Sequence, residues 1–243
     1  MLNITESEWN GFQRLDFPFE GRNAIVVFAD APKGGNPWIM RTEYFGAFPA
    51  FDIVMLKRGY HLAYVSNIHR WGDPSDIEIK AHFCALLEQE YGFCTKCLPE
   101  GLSCGGMFAT YFASAHPERV AALYIDAPVM NFLSCPCGVG DATNELYGEF
   151  HAATGKTVSE LINYRNHPID HAPKLLQANL PIMIVSGDCD TVVPYHENGA
   201  LLTEYYRKNS GTVHEIIKPD CDHHPHGLED VTPLIEFTEK YYM

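Results

Sequence analysis

The sequence predicts an α/β fold, a mostly parallel central sheet with helices on both faces. Three observations predict it. Apolar runs at 23–29, 61–66, 120–125 and 181–186 carry no charged residue, as strands covered on both faces require. Stretches with apolar residues at helical spacing fall between them, so strand and helix alternate from residue 23 onward. Finally, residues 96–109 (Lys96-Cys97-Leu98-Pro99-Glu100-Gly101-Leu102-Ser103-Cys104-Gly105-Gly106-Met107-Phe108-Ala109) read as a strand, a sharp turn and a helix in one stretch.

In chain order, residues 1–22 place Phe12, Leu15, Phe17 and Phe19 among polar neighbours, which suits an edge strand. The run 23–29 is the first core strand. The Gly/Pro loop after it ends in Asn36-Pro37, a pair that caps and opens a helix. A helix through Phe51, Ile53, Val54, Leu56 and Lys57 closes at Gly59. The strand 61–66, a turn at 70–74 and a helix over 76–91 lead into the strand and turn around Ser103, and the strand 120–125 follows. Residues 130–178 break the alternation with a Cys/Gly loop and short polar-aromatic segments (Tyr147, Phe150, Leu161, Tyr164). They read as a helical cap inserted into a single domain over 1–243, an extra pair of packing helices being the plainer alternative. Strands at 181–186 and 213–218 and a last helix ending near Tyr242 complete the chain.

At 243 residues and 46% hydrophobic content the chain can bury a full core as one domain. A net charge of −14 with 17 Lys and Arg leaves no basic surface, which argues against nucleic acid and membrane partners and favours a small-molecule substrate. The first residues lack a basic and an apolar region of the signal-peptide kind, and no apolar run reaches about 18 residues, so a soluble, cytoplasmic protein is expected. Self-association into a homodimer is left open. Without an export signal, the eight cysteines are expected as free thiols. The pairs Cys94/Cys97 and Cys135/Cys137 raise zinc as a rival. The second pair has only one intervening residue and the first runs into the serine strand, so core thiols and no metal are expected.

The chemistry centres on Gly101-Leu102-Ser103-Cys104-Gly105. Small residues two before and two after the serine let strand and helix backbones approach, which lifts the hydroxyl clear of the sheet at a helix N-terminus. The Cys104 N–H then faces a developing oxyanion with the helix dipole behind it. A second donor is expected near Trp38, in the loop after the first core strand, and Trp38 itself is a candidate substrate contact. Arg41 is either a surface cation or a grip on a substrate carboxylate or carbonyl. Without partners, the same pattern is a glycine-rich loop ahead of an ordinary helix. Partners exist downstream. The strand 181–186 runs into Gly187-Asp188-Cys189-Asp190, where Asp190 is the expected acid and Asp188 fixes the turn. The strand 213–218 leads to Asp222-His223-His224-Pro225-His226, where His223 is the expected base, His224 its rival, and His224 and His226 line the pocket or brace the loop. A His-x-His metal site competes, with no third ligand obvious in the sequence.

The chain order Ser103, Asp190, His223 is that of the α/β-hydrolase superfamily, which the chain resembles from Asn23 to the last helix. Asn36-Pro37-Trp38-Ile39-Met40-Arg41, Ile125-Asp126-Ala127-Pro128-Val129 and His223-His224-Pro225-His226-Gly227-Leu228-Glu229-Asp230 resemble a bacterial branch of serine esterases, some associated with carbohydrate breakdown. The resemblance implies that Ser103 attacks a small ester, His223 moves the proton and Asp190 orients His223, with no metal or organic cofactor. The chain departs from the pattern at Cys104, where relatives often carry a bulky or basic residue, and at Asp222, where glycine is usual. Rival readings are a peptidase or thioesterase on the same scaffold, a non-catalytic hydrolase-like protein that binds a small ligand, and a zinc protein using the histidines or the cysteine pairs.

Overall fold

A computed structural model describes residues 4–242. Its strands are β1 (Thr5–Trp9), β2 (Phe12–Phe19), β3 (Arg22–Val27), β4 (Trp38–Arg41), β5 (His61–Val65), β6 (Leu98–Leu102), β7 (Leu123–Asp126), β8 (Ile182–Gly187) and β9 (Val213–Lys218). The helices are α1 (Ala50–Lys57), α2 (Pro74–Tyr91), α3 (Cys104–Ala115), α4 (Tyr147–Thr154), α5 (Val158–Leu161), α6 (Ala172–Gln177), α7 (Gly199–Lys208) and α8 (Thr232–Tyr241). This is the α/β-hydrolase fold: one nine-stranded sheet in the order β1-β2-β3-β5-β4-β6-β7-β8-β9. The strands from β4 to β9 run parallel, and β1, β2 and β3 are added antiparallel at one edge.

The edge is one strand longer than a single reading of 1–22 implies, since β1 and β2 both lie in that stretch. Asn10 and Gly11 both have positive φ, 51° and 86°, and so do Glu20 and Gly21, 48° and 78°. Paired left-handed residues make the tight turn whose twist matches a hairpin, so β1, β2 and β3 fold back on one another in sequence.

Asn36-Pro37 opens a strand, not the helix expected from the cap signal. Trp38 and Met40 point into the core layer under α2 and α3, while Ile39 points into the opposite layer under α1 and α8. A four-residue strand buried on both faces has no polar beat, and a proline at its start reads like a helix opening. β4 lies between β5 and β6 although β5 follows it in sequence, so Arg41 pairs with Glu100 and residues 42–48 leave the sheet next to Ser103. Catalytic groups gather at such crossings, outside the carboxyl ends of parallel strands.

Residues 130–178 pack alongside α3. The Tyr111 hydroxyl donates to the Asn166 carbonyl at 2.7 Å, and Phe150 meets Trp71 edge-on at 5.4 Å. Buried Asn198 accepts from the Met130 and Asn131 N–H groups, both at 3.0 Å, and so ties the start of this segment to the loop that carries Asp190. All eight cysteines are free. Among the described residues no helix is long and apolar enough to cross a membrane.

Candidate active site

The turn after β6 is built by missing side chains. A Cβ on Gly101 would lie 2.3 Å from the Gly105 carbonyl, and one on Gly106 would lie 2.5 Å from the Pro128 Cβ, whereas one on Gly105 finds 3.3 Å. The glycine that follows the five-residue pattern is therefore more constrained than Gly105 within it. Ser103 adopts φ 53° and ψ −118°, a conformation that costs a non-glycine residue on the order of 1–3 kcal/mol. Three backbone bonds hold it: its N–H donates to Asp126 O at 2.8 Å, and its carbonyl accepts from Gly106 at 2.9 Å and Val129 at 3.1 Å. The Cys104 N–H heads α3, one of the helix N-terminal donors without an intrahelical partner.

His223 Nε2 lies 3.1 Å from Ser103 Oγ, and His223 Nδ1 lies 2.8 Å from Asp190 Oδ2. The other Asp190 oxygen accepts from the Val192 and Val193 N–H groups at 2.9 and 2.7 Å, so the carboxylate has a fixed orientation and is buried. Asp188 is exposed and uses its backbone N–H on Lys218 O. Asp222, the departure from glycine, accepts from the backbone N–H of Thr191 at 3.0 Å and of His223 at 2.7 Å, tying the acid loop to the base loop. His224 is exposed and stacks on Phe48 at 5.5 Å, whereas the ring that meets the hydroxyl is that of His223. His226 is buried with Nδ1 2.7 Å from Asp126 Oδ1, and Asp126 Oδ2 accepts from Gly227 N–H at 2.8 Å. His226 thus braces the loop and also lines the cleft.

That cleft has a volume of about 340 Å³. Ser103, His223, His224 and His226 line it together with Tyr44 and Phe48, and Arg70, Leu146 and Val192 complete the lining. Leu146 is the contribution of the 130–178 segment.

Two expected site residues lie elsewhere. Trp38 is sealed at the amino end of β4, its N–H donating to the Tyr242 hydroxyl and its Nε1 to Cys94 O, both at 2.9 Å, so it is neither an oxyanion donor nor a substrate contact. Arg41 is also sealed, neither surface cation nor substrate grip. It donates to Glu100 at 2.7 Å, to Tyr44 O at 3.1 Å and to Ala47 O at 2.7 Å, with Asp52 at 3.5 Å. Both errors have one cause: reading 37–41 as loop and helix puts on a surface what the fold buries in a strand.

The segment that does face Ser103 is 42–48. The Thr42 hydroxyl sits 2.7 Å from Gly105 O, and Thr42 O accepts from Asn67 Nδ2 at 2.8 Å. Asn67 is in turn held by Lys80, a fully buried ammonium whose pKa burial pulls down to about 8. Two buried cations, Arg41 and Lys80, therefore fix this wall from below. The Tyr44 hydroxyl lies beside Cys104 and Arg70, and burial raises its pKa, so it stays an O–H donor at neutral pH. Tyr44, Arg70 and the Asp126–His226 pair were not singled out from sequence. Reading Trp38–Arg41 as a strand would have marked Tyr44 as part of a strand-end loop.

Comparison with known proteins gives a family and a fold. The prolyl oligopeptidase family matches residues 43–242, a peptidase family rather than the carbohydrate-associated esterase branch that three short motifs resemble. The solved structure of a puromycin hydrolase superposes with a TM-score of 0.69 at 14% identity, covering 100% of this chain and 40% of that one. An acylaminoacyl peptidase of Pyrococcus horikoshii gives 0.68 at 14%, covering 89% of this chain and 40% of that one. At such identity the likeness is one of fold, and the chain spans about 40% of the length of these structures. No curated protein matches the chain. Since the matched region takes in the serine turn, the acid loop and the base loop, the chain belongs to the prolyl oligopeptidase family.

Proposed function

We propose that the protein is a serine hydrolase that cleaves the acyl bond of a short peptide or aminoacyl amide. The observation that carries this is the unbroken series Ser103 Oγ, His223 Nε2, His223 Nδ1, Asp190 Oδ2 opening into a largely apolar cleft. Ser103 attacks the carbonyl while His223 takes its proton, and His223 then returns that proton to the leaving amine. Asp190 keeps Nδ1 protonated and steadies the imidazolium. The Cys104 N–H and the Tyr44 hydroxyl receive the oxyanion, Tyr44 replacing the donor expected at Trp38. Water then attacks the acyl-enzyme with His223 as base. No step calls for a metal or organic cofactor.

The amide reading rests on the peptidase family that matches and on neighbours named as a puromycin hydrolase and an acylaminoacyl peptidase. Ester cleavage is the second reading, favoured by the esterase-like segment 223–230, because the same groups cleave an ester with less help to the leaving group. Leu146 in the cleft lining supports assigning substrate choice to the cap, 130–178. Matched aminoacyl p-nitroanilides and p-nitrophenyl esters, given to wild type and Ser103→Ala, test the reading. Ser103-dependent anilide cleavage supports it. Ser103-dependent ester cleavage with no anilide turnover replaces it by the second reading, and equal rates in the two proteins remove Ser103 from the reaction.

A further inference from the structure

We propose that His223, His224 and His226 form a binding site for a divalent transition-metal ion of the zinc type, and that metal there silences the Ser103 centre by taking the nitrogen that faces the serine. The three rings surround one point: their centres are 4.8, 4.8 and 4.9 Å apart, and two of the three pairs stand at 80° and 89° to each other. A zinc–nitrogen bond of about 2.0–2.1 Å and about 1.1 Å from nitrogen to ring centre put tetrahedral imidazoles about 5 Å apart, centre to centre. The observed spacing is that spacing.

Two of the rings are already held from behind. His223 and His226 each present Nδ1 to a buried carboxylate, Asp190 at 2.8 Å and Asp126 at 2.7 Å. A carboxylate on Nδ1 fixes the ring, keeps the proton on that nitrogen and leaves Nε2 as a basic donor, the arrangement that metal-bound histidines use. One nitrogen from each ring lies within 4.8 Å of the others, against a tetrahedral edge of about 3.4 Å. Exposed His224 is the ring that turns inward to close that gap, leaving its stack on Phe48. The third ligand that the sequence did not supply is thus His223 itself.

The consequence is exclusive occupancy. His223 Nε2 is 3.1 Å from Ser103 Oγ, and its lone pair cannot serve the metal and the hydroxyl proton together. Binding stands apart from the function proposed above, whereas silencing rests on it. Among the described residues the other grouping of this kind, Asp141, His196 and Glu197, is mostly exposed, and its one ring, His196, meets only the carboxylates of that same grouping.

The test uses Co2+ as a spectroscopic probe and Zn2+ as the inhibitor. Co2+ titration of the full chain is expected to saturate at one ion with the d–d absorption of a tetrahedral nitrogen site and no thiolate charge-transfer band. His224→Ala, or His224→Gln should the alanine variant misfold, weakens that binding by more than about tenfold, since even the loss of an outer carboxylate has such an effect. His196→Ala leaves it unchanged. Zn2+ slows the reaction of Ser103 with a fluorophosphonate, and EDTA restores it. A thiolate band, unchanged affinity in the His224 variants, or unchanged labelling at saturating Zn2+ overturns the proposal. If metal-free protein is not labelled at all, the serine hydrolase reading fails, and the Co2+ titration still decides the metal site.

Discussion

Arg41 Nη1 donates to Glu100 Oε1 at 2.7 Å with both side chains sealed from solvent, three residues ahead of Ser103. Asp52 shares the same cation from 3.5 Å, and neither of its oxygens has a hydrogen-bond partner among the described residues. One guanidinium therefore serves two buried carboxyls, and burial pushes the pKa of both upward. The two acids are not equivalent: Glu100 is bonded to the cation, and Asp52 only neighbours it.

Arg41→Met is accordingly expected to lower stability by about 3–5 kcal/mol, because it strands buried carboxyls and frees the Tyr44 and Ala47 carbonyls. Asp52→Asn removes the poorly paired charge and is expected to change stability by less than about 1 kcal/mol. Urea denaturation with a common m-value measures both. Equal losses would contradict the asymmetry.

Tyr44→Phe tests the revised oxyanion donor. Losing one such donor costs roughly 100-fold or more in kcat with little change in KM, since the bond forms only as charge develops. Steady-state kinetics on a turned-over anilide or ester decides it. A kcat within about twofold of wild type would leave the oxyanion to backbone groups alone.

Acid sensitivity should trace in part to His61, far from the cleft. Its ring is stacked on Phe93 at 4.4 Å, its Nδ1 accepts from Ala29 N–H, and burial lowers its pKa from 6.5 to about 4. The folded ring resists a proton that the unfolded chain accepts from pH 6.5 downward. Stability is therefore lost as pH falls from 6.5 to about 4, by about 3 kcal/mol from this residue, and the loss levels off below that. His61→Gln keeps an acceptor and does not titrate, so its urea midpoint should fall less steeply across that window. An identical slope would place the acid sensitivity elsewhere.

The glycines around Ser103 give a graded expectation. Gly101→Ala and Gly106→Ala, with 2.3 and 2.5 Å approaches, should each cost at least about 1–3 kcal/mol, and Gly105→Ala, with 3.3 Å, less than either. Thermal melts rank them, and a Gly105 variant as damaged as the other two would contradict the order.

What was legible beforehand was what is local. Gly101-x-Ser103-x-Gly105, the Asp190 loop and the His223 loop each announce themselves within a few residues, and the strand ahead of Asp190 is long enough to show an apolar run. Tight constraints at a distance stayed hidden. β4 is too short to show a period, so Trp38 and Arg41 looked like site residues and Tyr44 did not. Asp126 meets His226 a hundred positions away in the chain, and Gly106 answers to Pro128. Such pairings follow from strand order, which no single stretch encodes. Asp222 replaces a flexible glycine with a carboxylate that staples two loops, a role visible only once those loops adjoin.

The simplest decisive measurement is fluorophosphonate labelling of the folded, metal-free protein, read by intact mass and peptide mapping. One adduct per chain on Ser103, absent in Ser103→Ala and strongly slowed in His223→Gln, is expected. No adduct on well-folded wild type, or an adduct that maps elsewhere, would contradict a Ser103–His223–Asp190 centre.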